Sequence, residues 1–324
     1  MTVNNGVVEF FDLTVKSNNI LKEVLVGLSK SQKTIPPKFL YDQKGSDLFE
    51  KICLLPEYYP TRTENKILQN NAHEMAELIG SDALLIEPGS GSGDKVRHLL
   101  RKLKNPKGYI PIEISREILL RMTNEMHDEF SELNVIPVCA DFTGDLELPL
   151  TVDSYSGKKV IFFPGSTIGN LVPEEAIRNL KKFGKLISSG GGLLIGVDLK
   201  KDSKIFELAY DDPEGVTATF NLNLLERLNR ELDASFNPSN FTHEAFYNEE
   251  LGRVEMHLKS QIDQLVKVSQ TVFRFRKGET IHTENSYKYS VEEFCELCSK
   301  AKFEIKRYWK DENNLFCVYY FEKE

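Results

Sequence analysis

The stretch 83-ALLIEPGSGSGDKVRHLLRKLK-104 constrains this chain more than any other. An apolar run, Ala83 to Ile86, ends in Glu87 and is followed by Gly89, Gly91 and Gly93. Val96, Leu99, Leu100 and Leu103 then recur at helical spacing. Strand, glycine turn and helix is the arrangement by which an α/β domain holds a nucleotide-like ligand at the carboxyl end of its sheet. The glycines allow close backbone approach, and the helix N-terminus offers free N–H groups.

The turn is not a dinucleotide fingerprint. G-x-G-x-x-G requires glycine at position 94, where Asp94 stands. This disfavours an oxidoreductase. The pattern present, acidic-x-G-x-G-x-G from Glu87 to Gly93, resembles motif I of class I S-adenosylmethionine-dependent methyltransferases. By itself the turn also serves as an ordinary strand–helix connection.

The remaining chain decides between these readings. Its 324 residues exceed one usual core and predict two domains or one elaborated domain. A net charge of −8 argues against a nucleic-acid partner, and no basic face stands out. There is no run of membrane-spanning length and no signal-peptide pattern at MTVNNGVVEFFDL, and five cysteines suit a reducing compartment, so a cytoplasmic protein is expected. Cys295 and Cys298 have C-x-x-C spacing on a helical pattern without a second pair, and the histidines show no H-x-x-x-H pair. No metal site is expected.

In order, a short amphipathic helix is predicted over 15–30. Residues 35–64 carry four prolines, a Gly-Ser turn and the aromatic residues Phe39, Tyr41, Phe49, Tyr58 and Tyr59, as either a packed cap or a pocket-lining lid. Thr61 to Glu64 fits a capping box that opens a helix stopped by Gly80. Parallel strands follow over 83–87, 108–115, 134–142, 158–170 and 193–200. Glu113 ends the second, where a carboxylate can accept ribose hydroxyls, and Asp141 and Phe142 end the third, placed for an adenine ring. The fourth strand's end, 164-PGSTIGN-170, presents a reacting group, and Pro173 opens a helix. Residues 201–288 break the rhythm with a helix and period-two segments at 253–268 and 270–289, and the chain closes in a helix and a hairpin turning at Asp311–Asn314. The fold class expected is therefore an α/β, Rossmann-like class I sheet over 63–200 plus 289–324, with a discontinuous second α+β domain over 8–62 plus 201–288.

The segments PPKFLYDQKGSDLFEKI (36–52), LPEYYPTRTE (55–64), FPGSTIGNL (163–171), AYDDPEGVTATFN (209–221) and TENSYKY (283–289) resemble the histidine Nα-methyltransferase family of ergothioneine biosynthesis, in order along nearly the whole chain. The resemblance implies trimethylation of the α-amine of L-histidine to hercynine, with S-adenosyl-L-methionine as donor. A monomer needing neither membrane nor nucleic acid is expected. It assigns Tyr58, Asn170 and Tyr210 to the substrate's carboxylate and amine, with Tyr41 and Gly165 nearby. Glu284 and Ser286 take the imidazole, Thr217 and Met256 shape the side-chain pocket, and Gly89, Lys95, Glu113, Asp141 and Phe142 bind the cofactor. Glu113 stands where other members can have aspartate, which keeps the carboxylate, and Pro88 and Pro164 flank two of the glycines.

Glu284 and Ser286 lie two apart on a predicted strand and so face one way. A carboxylate accepts an imidazole N–H, and a hydroxyl can meet the other nitrogen in either role. On sequence alone the polar run Thr283–Ser286 also fits an exposed strand face. Related enzymes of ergot alkaloid biosynthesis methylate a tryptophan-derived amine, so methylation of tryptophan or a derivative is the alternative, disfavoured by Glu284. A cofactor-binding regulator without turnover is disfavoured because both sets of motifs are intact.

Overall fold

The computed structural model describes residues 10–13, 18–144, 148–149, 152 and 154–324. In chain order among these, its strands and helices are β1 (Phe11–Asp12), α1 (Asn18–Leu28), β2 (Lys33–Thr34), α2 (Gln43–Leu54), α3 (Tyr59–Ile79), β3 (Leu84–Pro88), α4 (Asp94–Leu100), β4 (Gly108–Glu113), α5 (Arg116–Glu129), β5 (Val138–Cys139) and β6 (Lys159–Phe163). Then come α6 (Pro173–Ile187), β7 (Gly192–Asp198), α7 (Ser203–Tyr210), α8 (Val216–Leu232), β8 (Phe241–Asn248), β9 (Arg253–Ser260), β10 (Gln264–Val268), β11 (Thr271–Phe275), β12 (Thr280–Tyr287), α9 (Val291–Ser299), β13 (Phe303–Lys310) and β14 (Phe316–Lys323). The chain divides into two compact units.

The first unit holds β1, Pro60–Leu199 and Tyr289–Glu324. Its sheet has eight strands in the order β1-β5-β4-β3-β6-β7-β14-β13. The first six run parallel, and β14 lies antiparallel to both β7 and β13. This is the expected class I sheet with its closing hairpin. The order reverses at β3, whose neighbours are β4 and β6, so the glycine turn leaves the sheet at its topological switch point. Strands β3 and β6 are buried along their whole length, as central parallel strands are. Leu68, Met75, Ile79, Leu85, Leu99, Met122 and Phe162 lie in one core cluster with them. Gly80 adopts φ +87° and ends α3, and Pro173 sits in the first turn of α6, as expected.

Two differences concern this sheet. The third strand pairs only at Val138–Cys139, with an isolated bridge at Tyr109–Val135, instead of running over 134–142. Pro137 has no N–H to give the ladder just before the strand, and Asp141 and Phe142 lie in the turn beyond its end. Beyond this edge, Phe11 and Asp12 pair in parallel with Val138 and Cys139, which places residues 10–13 in the sheet unit and not in the second domain. A two-residue strand has no period to detect. Residues 8–9 and 14–17, assigned by sequence to the second domain and in part to its first helix, lie outside the described residues.

The second unit holds the described part of Val15–Tyr59 together with Lys200–Lys288. Its main sheet runs β2-β12-β9-β8, and β10 and β11 form a separate antiparallel ribbon. Each period-two segment is two strands, because turns interrupt it at 261–263 and 276–279. The expected Gly-Ser turn is instead the start of a helix: Gly45 and Ser46 are buried in α2, capped by Asp42, whose Oδ1 accepts from Gly45 N at 2.8 Å. Asn223 Nδ2 of α8 donates to the same oxygen at 2.8 Å, which ties the two helices together.

Glycine at 45 is required by space, because a Cβ there would overlap the carbonyl oxygen of Leu40. Gly→Ala inside a helix ordinarily stabilises by up to about 1 kcal/mol. Here Gly45→Ala should destabilise, by roughly 1–3 kcal/mol, read as a lower midpoint in urea. A higher midpoint would refute the close approach.

Candidate functional site

In the first unit the glycine turn is built to leave room. Gly89, Gly91 and Gly93 have φ of +71°, +53° and +70°, a region that favours glycine. A Cβ on Gly91 would meet nothing within 4 Å, while one on Gly89 would touch the Phe142 ring at 3.4 Å. Ser90 Oγ is buried without a hydrogen-bond partner among the described residues, a hydroxyl left for a ligand. Asp94, the departure from the dinucleotide pattern, pairs with Arg97 at 2.8 Å, and Arg97 also holds Glu125 and Glu129.

Glu113 braces this turn. Its Oε2 accepts from Gly91 N at 3.1 Å and its Oε1 from Ser115 N at 3.0 Å. Each oxygen keeps further acceptor capacity. Burial raises the carboxyl above its usual range, against the pull of these backbone N–H groups. Glu87 is fully buried; burial pushes it up to about 8, although the Tyr109 hydroxyl donates to it and Lys95 attracts it. Glu87 is thus an internal brace that carries its proton at neutral pH. Asp141 Oδ1 accepts from Thr143 N at 2.9 Å, and the Phe142 ring packs edge-on against Phe163 at 5.4 Å. Gly89, Glu113, Asp141 and Phe142 therefore sit at the carboxyl ends of β3, β4 and β5. The open space at Gly91, the unpartnered Ser90 hydroxyl and the carboxylate beyond them fit an adenosine-type cofactor.

Lys95 and Gly165 are drawn together by a residue that sequence reasoning placed elsewhere. Because α3 begins at Tyr59, Glu64 lies inside the helix and forms no capping box. Its buried carboxylate accepts from Lys95 Nζ at 2.6 Å and from Gly165 N at 3.0 and 2.8 Å. The Gly165 N–H is thereby occupied by Glu64. Gly165 has φ +84°, and Asn170 closes the short 3-10 turn Thr167–Asn170, half-buried.

The second unit gathers the remaining candidates. Tyr41, Phe49, Tyr58 and Tyr210 form a chain of edge-to-face rings, with centroids 5.6 Å apart for Tyr41–Phe49 and 6.1 Å for Phe49–Tyr58 and Tyr58–Tyr210. Phe220 joins it 5.6 Å from Tyr41. Sequence reasoning noticed Phe49 only as part of an aromatic run and did not single out Phe220, although both fall within the segments it matched. Burial, and then the neighbouring Tyr210, hold the Tyr58 hydroxyl well above the usual phenol range, so it stays a proton donor.

Glu284 and Ser286 are buried on β12 and not on an exposed face. A bulge falls between His282 and Glu284, so Glu284 pairs with Met256 and Ser286 with Val254. Thr283, the extra residue, donates from its hydroxyl to Met256 O at 3.0 Å, and the His282 ring meets Glu284 O at 3.0 Å. Bulges re-aim side chains, and this one turns Glu284 to the face opposite His282. Glu284 Oε2 is buried with no hydrogen-bond partner among the described residues. Burial raises the carboxyl to about 7, while Lys288 pulls the other way. Ser286 Oγ lies 2.8 Å from both Tyr210 OH and Lys288 Nζ. Thr217 is buried at the start of α8, where its N–H donates to Asp212 Oδ1 at 2.8 Å.

On the opposite face of the sheet, Glu255, His257 and His282 bring one ligand atom each within 4.8 Å, a grouping across strands that histidine spacing does not reveal. Burial opposes ionisation of Glu255, but hydrogen bonds from His257 and Arg253 outweigh it and bring its carboxyl to about 2. Arg253 Nη2 lies 2.7 Å from Glu255, so this carboxylate is already neutralised by a cation.

The profile of the family described as "Histidine-specific methyltransferase, SAM-dependent" matches residues 20–323. The chain is 38% identical to the histidine N-alpha-methyltransferase of Mycobacterium tuberculosis over 296 residues, covering 90% of this chain and 91% of that protein. It is 31% identical to ergothioneine biosynthesis protein 1 of Neurospora crassa over 95% of this chain and 35% of that longer protein. It is 26% identical to an L-tryptophan methyltransferase of Psilocybe serbica, over 91% of this chain and 90% of that protein.

Proposed function

Because the chain belongs to the histidine-specific, S-adenosylmethionine-dependent methyltransferase family, we propose that this N-methyltransferase trimethylates the α-amine of L-histidine to hercynine. The observation that carries this reading is the buried Glu284 oxygen without a partner among the described residues, two residues from the buried Ser286. A charged or strongly polar atom buried unpaired costs stability and calls for a ligand group. An imidazole N–H supplies it. An indole, with one N–H and more bulk, leaves the second polar group unmet.

The family's donor, when bound, supplies a methyl group on a sulfonium leaving group. The protein has no bond to activate, and position and desolvation supply the rate; orientation alone contributes roughly 7–11 kcal/mol. We assign the glycine turn, Glu113, Asp141 and Phe142 to the adenosine portion, and Lys95 to bracing the turn through Glu64. Tyr58, Tyr210 and Asn170 are assigned to the substrate's carboxylate and amine. Tyr58 acts there as a hydroxyl donor, because burial raises its pKa and so keeps the proton on its oxygen. The nucleophile is the neutral amine, whose ammonium form a nearby sulfonium charge disfavours. Holding the substrate by its carboxylate and its imidazole leaves the amine free to rotate between successive methyl additions. Five cysteines, none of them in a disulfide, fit the reducing, cytoplasmic setting proposed for it.

The test is purified protein with S-adenosylmethionine and each of the twenty amino acids, read by mass spectrometry. Trimethylated histidine as the dominant product is expected. Methylated tryptophan without methylated histidine would overturn the substrate and leave the family intact.

A further inference from the structure

Lys288 lies two residues beyond Ser286 and has no part in the reading above. Its side chain is buried, 2% exposed. The ammonium lies 2.8 Å from Ser286 Oγ and 3.1 Å from Tyr210 OH, over the Tyr210 and Phe206 rings at 4.8 and 5.2 Å from their centroids. Tyr210 OH in turn lies 2.8 Å from Ser286 Oγ. Backbone pairing fixes the lysine as well, since its N–H donates to Gly252 O at 2.9 Å.

Hydrogen-bond polarity in this triangle is determined. A lysine ammonium donates and never accepts. Ser286 Oγ and Tyr210 OH must both accept from it. Of the two hydroxyls the phenol is the more acidic, so Tyr210 donates to Ser286. Ser286 then accepts twice, which uses both its lone pairs. Its own hydrogen remains, and no group among the described residues accepts it. The sequence left the serine able to play either role; Lys288 removes one of them.

We propose that Lys288 is a specificity-determining positioning residue: it locks Ser286 as a donor beside the acceptor Glu284, so that the pair selects a ring with one N–H and one bare nitrogen, the neutral imidazole. This rests on the imidazole reading above. Two acceptors would instead select an imidazolium, and two donors a ring without N–H. The lysine need not touch substrate; it acts through Ser286.

The test compares histidine with 3-(pyrrol-2-yl)alanine, which keeps an N–H but lacks the bare nitrogen. Wild type leaves the Ser286 hydrogen unpaired against the pyrrole and should prefer histidine in kcat/KM by roughly ten- to a hundredfold on this account. In Lys288→Met the serine can turn its hydrogen to Tyr210, and the preference should shrink about tenfold. Lys288→Arg, which still only donates, should retain most of it. A Lys288→Met enzyme with slower turnover but the wild-type preference would overturn the proposal, since a structural role alone predicts that result. A second measurement needs no variant. Bound histidine labelled with ¹⁵N in the ring should show one protonated and one bare nitrogen in a single tautomer. An imidazolium or averaged tautomers would overturn the donor assignment. Failure of wild type to bind or methylate histidine would remove the imidazole reading itself, which these ratios keep separate.

Discussion

Glu284→Ala should lower kcat/KM for histidine by roughly 10²–10³-fold while leaving S-adenosylhomocysteine affinity near wild type. A hydrogen bond to a charged group contributes about 1.5–3 kcal/mol, and an imidazole N–H left unpaired in the emptied site adds its own desolvation penalty. Steady-state kinetics with calorimetric cofactor binding check both halves. Near-wild-type kcat/KM would remove the carboxylate from the substrate's side chain. The same residue carries a stability signature in the absence of substrate. Its carboxyl rises from 4.5 to about 7 in the folded protein because it is buried. The folded state then binds this proton more tightly than the unfolded one. Stability is undiminished below about pH 4.5, declines as pH rises, and levels off above pH 7, a loss of up to roughly 3 kcal/mol. Glu284→Gln removes the ionisation. Its melting temperature should exceed that of wild type by a margin that grows between pH 4.5 and 7. Glu87 slopes in the same direction, but it is common to both proteins and cancels in the comparison.

The pocket's carboxylate and the turn's glycines were legible for different reasons. Gly89, Gly91 and Gly93 declare a left-handed turn by residue type, and an apolar run before them with helical spacing after them sets the local structure. Glu284 and Ser286 were legible as a pair through strand period, but not as buried. Burial came from β9 and from the bulge at Thr283, neither visible in a polar tetrapeptide. Glu64 was misread because Thr61–Glu64 satisfies a local capping pattern, whereas its partners Lys95 and Gly165 lie 31 and 101 positions away. Gly45 was misread as a turn because a glycine demanded by a passing carbonyl looks, in sequence, like one demanded by φ. The pairing of Phe11 with Val138 and the grouping of His257 with His282 are likewise contacts between segments with no pattern of their own.

Gly196→Ala should be among the most damaging single-methyl changes in the sheet unit. Gly196 is buried in the middle of β7, where a Cβ would overlap Glu64 Oε1 and press on the Phe316 ring at 3.0 Å. A flexible carboxylate would ordinarily swing away. This one is held by Lys95 Nζ at 2.6 Å and by Gly165 N on both oxygens. Displacing it leaves a largely buried ammonium and a backbone N–H without their acceptor. Breaking a buried ion pair from one side costs about 3–5 kcal/mol, and overpacking adds to it. A fall in melting temperature of roughly 10 °C is expected for a protein of this size. Cofactor affinity should fall with it, because Lys95 stands in the first turn of α4, directly behind the glycine turn. Glu64→Asp in the same chain shortens the obstructing side chain and should recover part of the stability while keeping a partner for Lys95. If Gly196→Ala alone melts like wild type, the carboxylate is free to move and Glu64 does not anchor the turn. If the double variant is no better than the single one, the clash lies with Phe316 and the ion pair is incidental to it.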